Sequence, residues 1–118
     1  MADPPGRTVV AVRDDTVLGS AKMGPNREGR GSHIGTASFM VDPAYAGQGV
    51  GRALGQHIVE ASRAAGYHGI QFNAVVETNR PAVALWLSLG FQIMTTIPEA
   101  FDHRQYGRVG LHVMYRKL

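Results

Sequence analysis

The stretch FMVDPAYAGQGVGRAL, residues 39–54, marks where one element of structure ends and another begins. Its first three residues are apolar, and Pro43 stops a strand because proline has no N–H for the ladder. Three glycines follow at alternate positions, where they let the backbone turn sharply and approach a ligand closely. From Val50 onward, apolar residues recur at helical spacing. The stretch therefore predicts a strand, a glycine loop and a helix.

A helix that begins at a glycine loop points free N–H groups and the positive end of its dipole at an anion. A phosphate-bearing ligand is the natural prediction, although a glycine turn before a helix is also compatible with a purely structural role. A P-loop needs Lys and then Ser or Thr after its last glycine, but Gly51 is followed by Arg52 and Ala53. A dinucleotide-binding loop needs a glycine at position 52 and an acidic residue about 20 residues further on. Neither is present, so both of these loop types are excluded.

Outward from this loop, the hydrophobic pattern predicts the element order β-β-β-α-β-α-β-β. A strand is expected over residues 70–76, and Asn79 is expected to cap a second helix with Pro81 in its first turn. Residues 98–107 are expected to form a loop. The central β-α-β unit implies two parallel strands, and the flanking strands are expected to be antiparallel. The predicted fold class is α/β (α+β) with a mixed, mostly antiparallel sheet.

The composition is that of a globular protein, with 44% hydrophobic and 18% charged residues in a chain of 118. Residues 1–8 are expected to be a flexible tail and residues 9–118 a single domain. The net charge of +3 is scattered along the chain, which argues against a nucleic-acid partner. No apolar run approaches the ~20 residues that span a bilayer, so no membrane partner and a cytoplasmic location are expected. The chain has no Cys, and its His spacing matches no metal site.

The window AGQGVG, residues 46–51, resembles the pyrophosphate loop of the GNAT acetyltransferases. That pattern is Gln or Arg, two residues, Gly, one residue, then Gly or Ala. The first position here is Ala46, so a side chain that often packs near the phosphates is absent. The run MVDP, residues 40–43, precedes the loop at the family's spacing, and residues 79–91, NRPAVALWLSLGF, resemble its second signature. The resemblance covers residues 9–116.

This resemblance implies an acyl-CoA N-acyltransferase-like fold. It also implies transfer of acetyl from acetyl-CoA to a primary or secondary amine of a small molecule, amino acid or peptide, by direct attack in a ternary complex. In the family, two parallel strands separate and hold the cofactor's pantetheine arm, here residues 33–41 and 70–76. The N–H of Val41 is then expected to face the thioester oxygen. The cofactor-binding residues implied are Phe39, Met40, Val41, Gly47, Gln48, Gly49, Val50, Gly51, Arg52, Asn79 and Trp86.

The resemblance leaves the proton-transfer groups open. Many family members carry a Tyr acid where this chain has Trp86, so either another group protonates CoA or the thiolate leaves unassisted. Trp86 is equally compatible with a packing role, and Asn79 with a plain helix cap. Glu77 is a candidate base, and Asn73 is expected to orient the acceptor. Asn73 also lies in one of the segments similar to acetyltransferases of small amines and proline analogues.

The usual first strand and two helices of the family have no counterpart before Val9. The resemblance therefore implies an acceptor pocket that is open, completed by a second subunit, or lost by truncation, and a homodimer is expected. The alternative function is a non-catalytic acyl-CoA-binding module or a truncated GNAT domain.

Overall fold

The computed structural model of the protein describes residues 6–118. These residues form six strands and two helices in the predicted order. Their bounds are β1 Arg7–Arg13, β2 Thr16–Pro25, β3 Ile34–Val41, α1 Val50–Ala64, β4 Gly69–Val76, α2 Arg80–Ser88, β5 Gln92–His103 and β6 Gly107–Lys117. Single 3-10 turns lie at Gly29–Gly31 and Pro43–Tyr45.

The strands form one sheet in the order β1-β2-β3-β4-β6-β5. β3 and β4 are parallel and are joined through α1, and every other neighbouring pair is antiparallel. The predicted fold class, a mixed and mostly antiparallel sheet around a parallel β-α-β unit, is confirmed.

β3 and β4 pair over a short length and then separate. Ile34 pairs with Gly69 and Gly35 with Ile70, and no further pairs join the two strands. On its other edge β3 stays paired with β2 along its whole length. A V-shaped cleft therefore opens between residues 36–41 of β3 and 71–76 of β4.

A β-bulge in β4 lies beside this opening. Phe72 pairs with Met114 of β6, and Val75 pairs with His112, so β4 carries one residue more than its partner over this interval. A bulge bends the strand that contains it. The bulge thus lies on the stretch of β4 that no longer pairs with β3.

α1 packs its apolar face against β2 and β3. Val50, Leu54 and Ile58 are each at most 5% exposed. Gly19 on β2 lets the helix approach, because a Cβ there would lie 3.1 Å from the Val50 Cγ1 atom and 2.7 Å from the Met40 carbonyl oxygen. The start of α1 is thereby held close to the end of β3.

The first strand begins earlier than predicted. β1 starts at Arg7, which pairs with Met23, so residues 7 and 8 are strand rather than tail. Of the remaining six residues of the predicted tail, 1–5 lie outside the described residues. Cross-strand pairing with β2 extends β1 beyond the short apolar run on which the prediction rested.

The predicted loop over residues 98–107 is wrong, because β5 continues through Pro98 to His103. β5 is the edge strand, where a missing N–H need not cost a ladder bond. A register shift between Ile97 and Phe101 absorbs the irregularity, with Glu99 at a φ of 54°. Only the turn before Gly107 remains of the predicted loop. No helix within residues 6–118 is long and apolar enough to cross a membrane.

The close crossing of α1 over α2 predicts that alanine substitutions at two glycines of α1 change the free energy of unfolding differently. A Cβ on Gly55 would lie 2.8 Å from Leu89 Cδ1 and 2.9 Å from Trp86 Cζ3, whereas one on Gly51 would meet Leu85 Cδ2 at 3.4 Å. We expect Gly55→Ala to lower the free energy of unfolding by about 1–3 kcal/mol through overpacking. The matched variant Gly51→Ala should leave it unchanged or raise it slightly, by up to ~1 kcal/mol. Urea denaturation measures both, and equal stabilities would contradict the close crossing.

Candidate functional site

The glycine loop adopts the conformation that its glycines allow. Gly47 has a φ of 77° and Gly49 a φ of 83°, both in the left-handed region that side chains rarely adopt. A Cβ at either position would meet nothing within 4 Å. Glycine is therefore required by the backbone conformation, and the surface of the loop is open to a ligand.

The start of α1 presents unpaired backbone donors. Gly49 is its N-cap, and no side chain caps it. The first intrahelical bond runs from the Ala53 N–H to the Gly49 carbonyl, at 3.0 Å. Among residues 6–118 no acceptor is found for the N–H groups of Val50, Gly51 and Arg52. These groups and the helix dipole together suit an anion such as a pyrophosphate.

Two side chains of the loop region brace it against its neighbours. The Gln48 Oε1 atom accepts a hydrogen bond from Arg13 Nη2 at 3.3 Å, and the Arg13 guanidinium lies 5.8 Å from the centre of the Tyr45 ring. Arg52 Nη2 donates to Ser88 Oγ on α2 at 3.0 Å. Gln48 and Arg52 therefore hold the loop in place, and the two arginines add positive charge around it.

The open edge of β3 is defined by the hydrogen bonds at its two ends. The Asp42 N–H donates to the Leu18 carbonyl at 2.9 Å, and the Ile34 carbonyl accepts from the Asn26 N–H at 2.7 Å. The even-numbered residues of β3 therefore direct their N–H and C=O groups toward β2, because these groups point to alternate sides along a strand. The odd-numbered residues turn theirs toward the cleft.

Because of this alternation, the three β3 residues predicted to bind the cofactor, Phe39, Met40 and Val41, do not all direct their backbone groups to the same side. The backbone groups of Phe39 and Val41 face the cleft. Met40 pairs with Ser20, so its N–H and carbonyl face β2, and its side chain is 74% exposed on the sheet face away from α1. The geometry therefore supports backbone contacts from Phe39 and Val41 and not from Met40.

An aromatic cluster forms the floor of the cleft. Trp86 is 7% exposed, and its ring centre lies 4.7 Å from that of Phe39 on β3 and 4.8 Å from that of Phe72 on β4. Phe91 stacks on Phe72 with centres 4.4 Å apart. Trp86 is thus a packed residue that also lines the cleft.

Asn79 lies at the start of α2, beside the cleft. Its Oδ1 atom accepts from the Ala82 N–H at 3.3 Å, which caps α2 as predicted. The residue also lines the cleft. Next to it, the Thr78 hydroxyl is buried without a hydrogen-bond partner within the described residues.

Asn73 lies on the cleft wall within a chain of amides. Its Nδ2 atom donates to Asn26 Oδ1 at 2.6 Å, and its Oδ1 atom accepts from Gln71 Nε2 at 3.0 Å. The side chain is therefore fixed in orientation on the wall of the cleft.

Glu77 does not join the other predicted site residues. Its Oε2 atom accepts a hydrogen bond from the Gly110 N–H on β6, and its own N–H donates to the Gly110 carbonyl at 3.0 Å. It is absent from the residues that line the cleft. This carboxylate ties the end of β4 to β6.

Sequence reasoning missed the two charged residues that line the cleft. The cleft has a volume of about 1140 Å³, and Lys22 and Glu28 are on its wall. Lys22 alternates with the buried Ala21 and Met23, so the strand pattern places it on the sheet face opposite the core. Glu28 belongs to a loop, where no periodicity identifies the direction of a side chain.

One titratable group near the vertex of the cleft has a shifted pKa. Burial raises the pKa of the Tyr67 phenol, and the Arg7 guanidinium partly opposes this effect. The phenol is therefore protonated at neutral pH. A Cβ on Gly35 would lie 3.3 Å from the Tyr67 ring, so the ring packs below the last pair of β3 and β4. Within residues 6–118, no group of three or more His, Asp or Glu could hold a metal ion.

The glycine loop, the free helix donors and the separated parallel strands are features that the resemblance to the GNAT acetyltransferases implied. A model of the acetyltransferase (GNAT) family matches residues 1–91. The chain belongs to the GNAT family.

Solved GNAT structures share this fold. A GCN5-related N-acetyltransferase from Kribbella flavida is 57% identical, with a TM-score of 0.97 over 100% of this chain and 71% of its own. The structure of yncA from Salmonella typhimurium, solved with its cofactor acetyl-CoA, is 27% identical, with a TM-score of 0.83 over 94% of this chain and 64% of its own.

A curated GNAT relative is the N-acetyltransferase aca1 of Schizosaccharomyces pombe. It is 33% identical over 85 residues, which are 72% of this chain and 41% of the relative. This chain therefore spans less than half the length of that relative.

The packing of Trp86 leads to a spectroscopic prediction. It is the single Trp of the chain, so its fluorescence reports on the floor of the cleft alone. We expect emission typical of a buried indole, weak quenching by acrylamide, and a red shift on unfolding. Trp86→Ala should lower the free energy of unfolding by about 3–5 kcal/mol, and Trp86→Phe by less. Strong quenching in the native protein, or an alanine variant of unchanged stability, would contradict this position.

Proposed function

We propose that the protein is an acetyl-CoA-dependent N-acetyltransferase that acts on a primary or secondary amine of a small molecule, amino acid or peptide. The observation that carries this proposal is the cleft between β3 and β4, together with the glycine loop that follows β3 and leads into the unpaired donors of α1. Membership of the GNAT family and the acetyl-CoA in the yncA structure support it.

The residues that would hold acetyl-CoA follow from this arrangement. The backbone of Gly47, Gly49 and the first turn of α1 would bind the pyrophosphate, with Gln48 and Arg52 bracing the loop. The open edge of β3 would bind the pantetheine arm above the aromatic floor, with Asn79 on the opposite wall. When bound, acetyl-CoA supplies an activated thioester carbonyl.

The reaction in this proposal is a direct transfer. The neutral amine nitrogen attacks the carbonyl carbon, the C–N bond forms and the C–S bond breaks. The amine gives up a proton to a base, and CoA departs as a thiolate that is protonated by solvent. The chain contributes by aligning the reactants and by donating the Val41 N–H to the carbonyl oxygen as negative charge develops there.

The proposed reaction does not require Trp86 to act as a general acid. The indole is buried among Phe39 and Phe72 and has no proton to give at neutral pH. A thiolate is a weak base compared with an amine, so its departure can proceed without an acid.

The acceptor side of the cleft favours an amine that also carries an oxygen anion or carbonyl. Lys22 and Glu28 give its wall one charge of each sign, and Asn73 adds a neutral amide. Such a wall suits an amino acid or a peptide N-terminus better than a polycation or a polyanion. Glu28 is the carboxylate that we propose as a contact for the acceptor amine.

The alternative is a non-catalytic acyl-CoA-binding module. It is favoured by the absence of an acid at Trp86 and by the position of Glu77, whose carboxylate faces β6. A cytoplasmic location and a homodimer are further predictions of the main proposal. Met40 and Val10, exposed on the sheet face away from α1, are residues that a dimer could cover.

Acetyl-CoA binding tests whether the glycine loop, residues 46–51, holds the cofactor. A hundredfold excess of ligand over its Kd stabilises the native state by about 2.7 kcal/mol, which raises the melting temperature. We expect Gly49→Val to abolish this ligand-induced rise, because a β-branched residue does not adopt a φ of 83°. Gly51→Ala, which keeps the loop conformation and matches the family pattern, should retain it. An undiminished rise in Gly49→Val would refute the assignment of the loop.

Turnover of acetyl-CoA tests whether the protein is an acetyltransferase. Release of free thiol from acetyl-CoA would be measured across a panel of amines, amino acids, peptides and polyamines. We expect release above the no-acceptor rate with amino acids or peptides, and a higher acceptor KM in Glu28→Gln. Glu60→Gln is a matched surface control, because Glu60 pairs with Arg63 on α1 away from the cleft. Silence across the panel, with acetyl-CoA still raising the melting temperature, would favour the binding module.

A further inference from the structure

Three side-chain amides form a continuous series that reaches the wall of the cleft at Asn73. Gln71 donates to Asn73 at 3.0 Å, and Asn73 donates to Asn26 at 2.6 Å. Asn26 follows the end of β2, 47 positions away from Asn73 along the chain. The backbone N–H of Asn26 donates to the Ile34 carbonyl at 2.7 Å. This bond anchors the Asn26 end of the amide series to β3.

The hydrogen bonds define which way the Asn73 amide points. Its oxygen accepts from Gln71, and its nitrogen donates to Asn26. An amide nitrogen carries two hydrogens, and Asn26 takes one of them. One Asn73 N–H therefore remains for another acceptor.

Asn73 would lack a fixed orientation without this support. It lies in the bulge of β4, between the pairs that Phe72 and Val75 make with β6. Its side chain is exposed, so packing does not hold its rotamer. The bond to Asn26 ties this unsupported position to the β2–β3 side of the cleft.

We propose that Asn26 is a positioning residue: it orients the Asn73 amide so that the remaining N–H donates to a carboxylate or carbonyl oxygen of the acceptor. This inference rests on the proposed acetyltransferase function and adds the residue that prepares its acceptor site. Asn26 acts through Asn73 and has no contact with the reacting atoms.

The test compares Asn26→Ala with Asn26→Asp. Aspartate keeps an oxygen that accepts from Asn73, whereas alanine does not. In Asn26→Ala, the side-chain amide signals of Asn73 in ¹H–¹⁵N spectra should lose their hydrogen-bonded shift and slow exchange, and in Asn26→Asp they should keep both. The acceptor KM should rise about tenfold in Asn26→Ala, the effect of one lost hydrogen bond, with kcat and acetyl-CoA affinity within twofold.

A double variant separates positioning from general damage. Because Asn26 acts through Asn73, Asn26→Ala should add nothing to the KM of Asn73→Ala. Asn26→Ser, which is smaller but polar, repeats the comparison if the alanine variant does not fold.

Three results would overturn the inference: unchanged Asn73 signals in Asn26→Ala, additive KM effects, or a joint loss of stability and acetyl-CoA affinity. If no acceptor turns over, the proposed function fails by that result alone. The Asn73 signals then still decide whether Asn26 orients this amide.

Discussion

The fold depends on the separation of two parallel strands that begin as neighbours. β3 and β4 pair at Ile34 and Gly35 and then diverge, although both continue as extended strands. A broken ladder leaves backbone groups unpaired, which costs free energy unless other contacts offset it. Aromatic packing supplies such contacts: Phe39 of β3 and Phe72 of β4 meet edge to face at 5.9 Å, and Trp86 packs against both. The cluster thus fills the base of the gap, and the open edge of β3 remains available to a ligand.

The position of the glycine loop follows from the same arrangement. Because β2 pairs with β3 as far as Val41, the end of β3 is fixed, and the glycine loop, residues 46–51, begins five residues later. Gly19 then allows α1 to approach the sheet, and Gly55 allows it to cross α2 closely. The N–H groups at the start of α1 are consequently directed by packing of the helix against β2 and against α2. The proposed phosphate site is made of backbone groups and needs no side chain of its own, which is consistent with Ala46 at the position where the family has Gln or Arg.

The sequence was sufficient for features that depend on local chemistry. The left-handed glycines, the cap at Asn79 and the parallel β-α-β unit all follow from residue types at fixed spacing. Features that depend on distant partners were not predictable. The direction of the Glu77 carboxylate is decided by Gly110, 33 positions away, and the orientation of Asn73 by Asn26. β5 passes through Pro98 because it is the edge strand, and a strand's place in the sheet is a property of the whole topology.

Trp86 shows how packing and catalysis compete for one position. The family's Tyr at this position would bring a hydroxyl that needs a partner when buried. In this chain Trp86 completes the aromatic cluster and lies against Gly55. Its side chain therefore packs between the strands and keeps them apart. In the proposed reaction, the rate must then come from the alignment of the amine and from the Val41 N–H, and not from an acid. In that proposal, the cleft wall that carries Asn73, Lys22 and Glu28 is the part of the site on which the rate most depends.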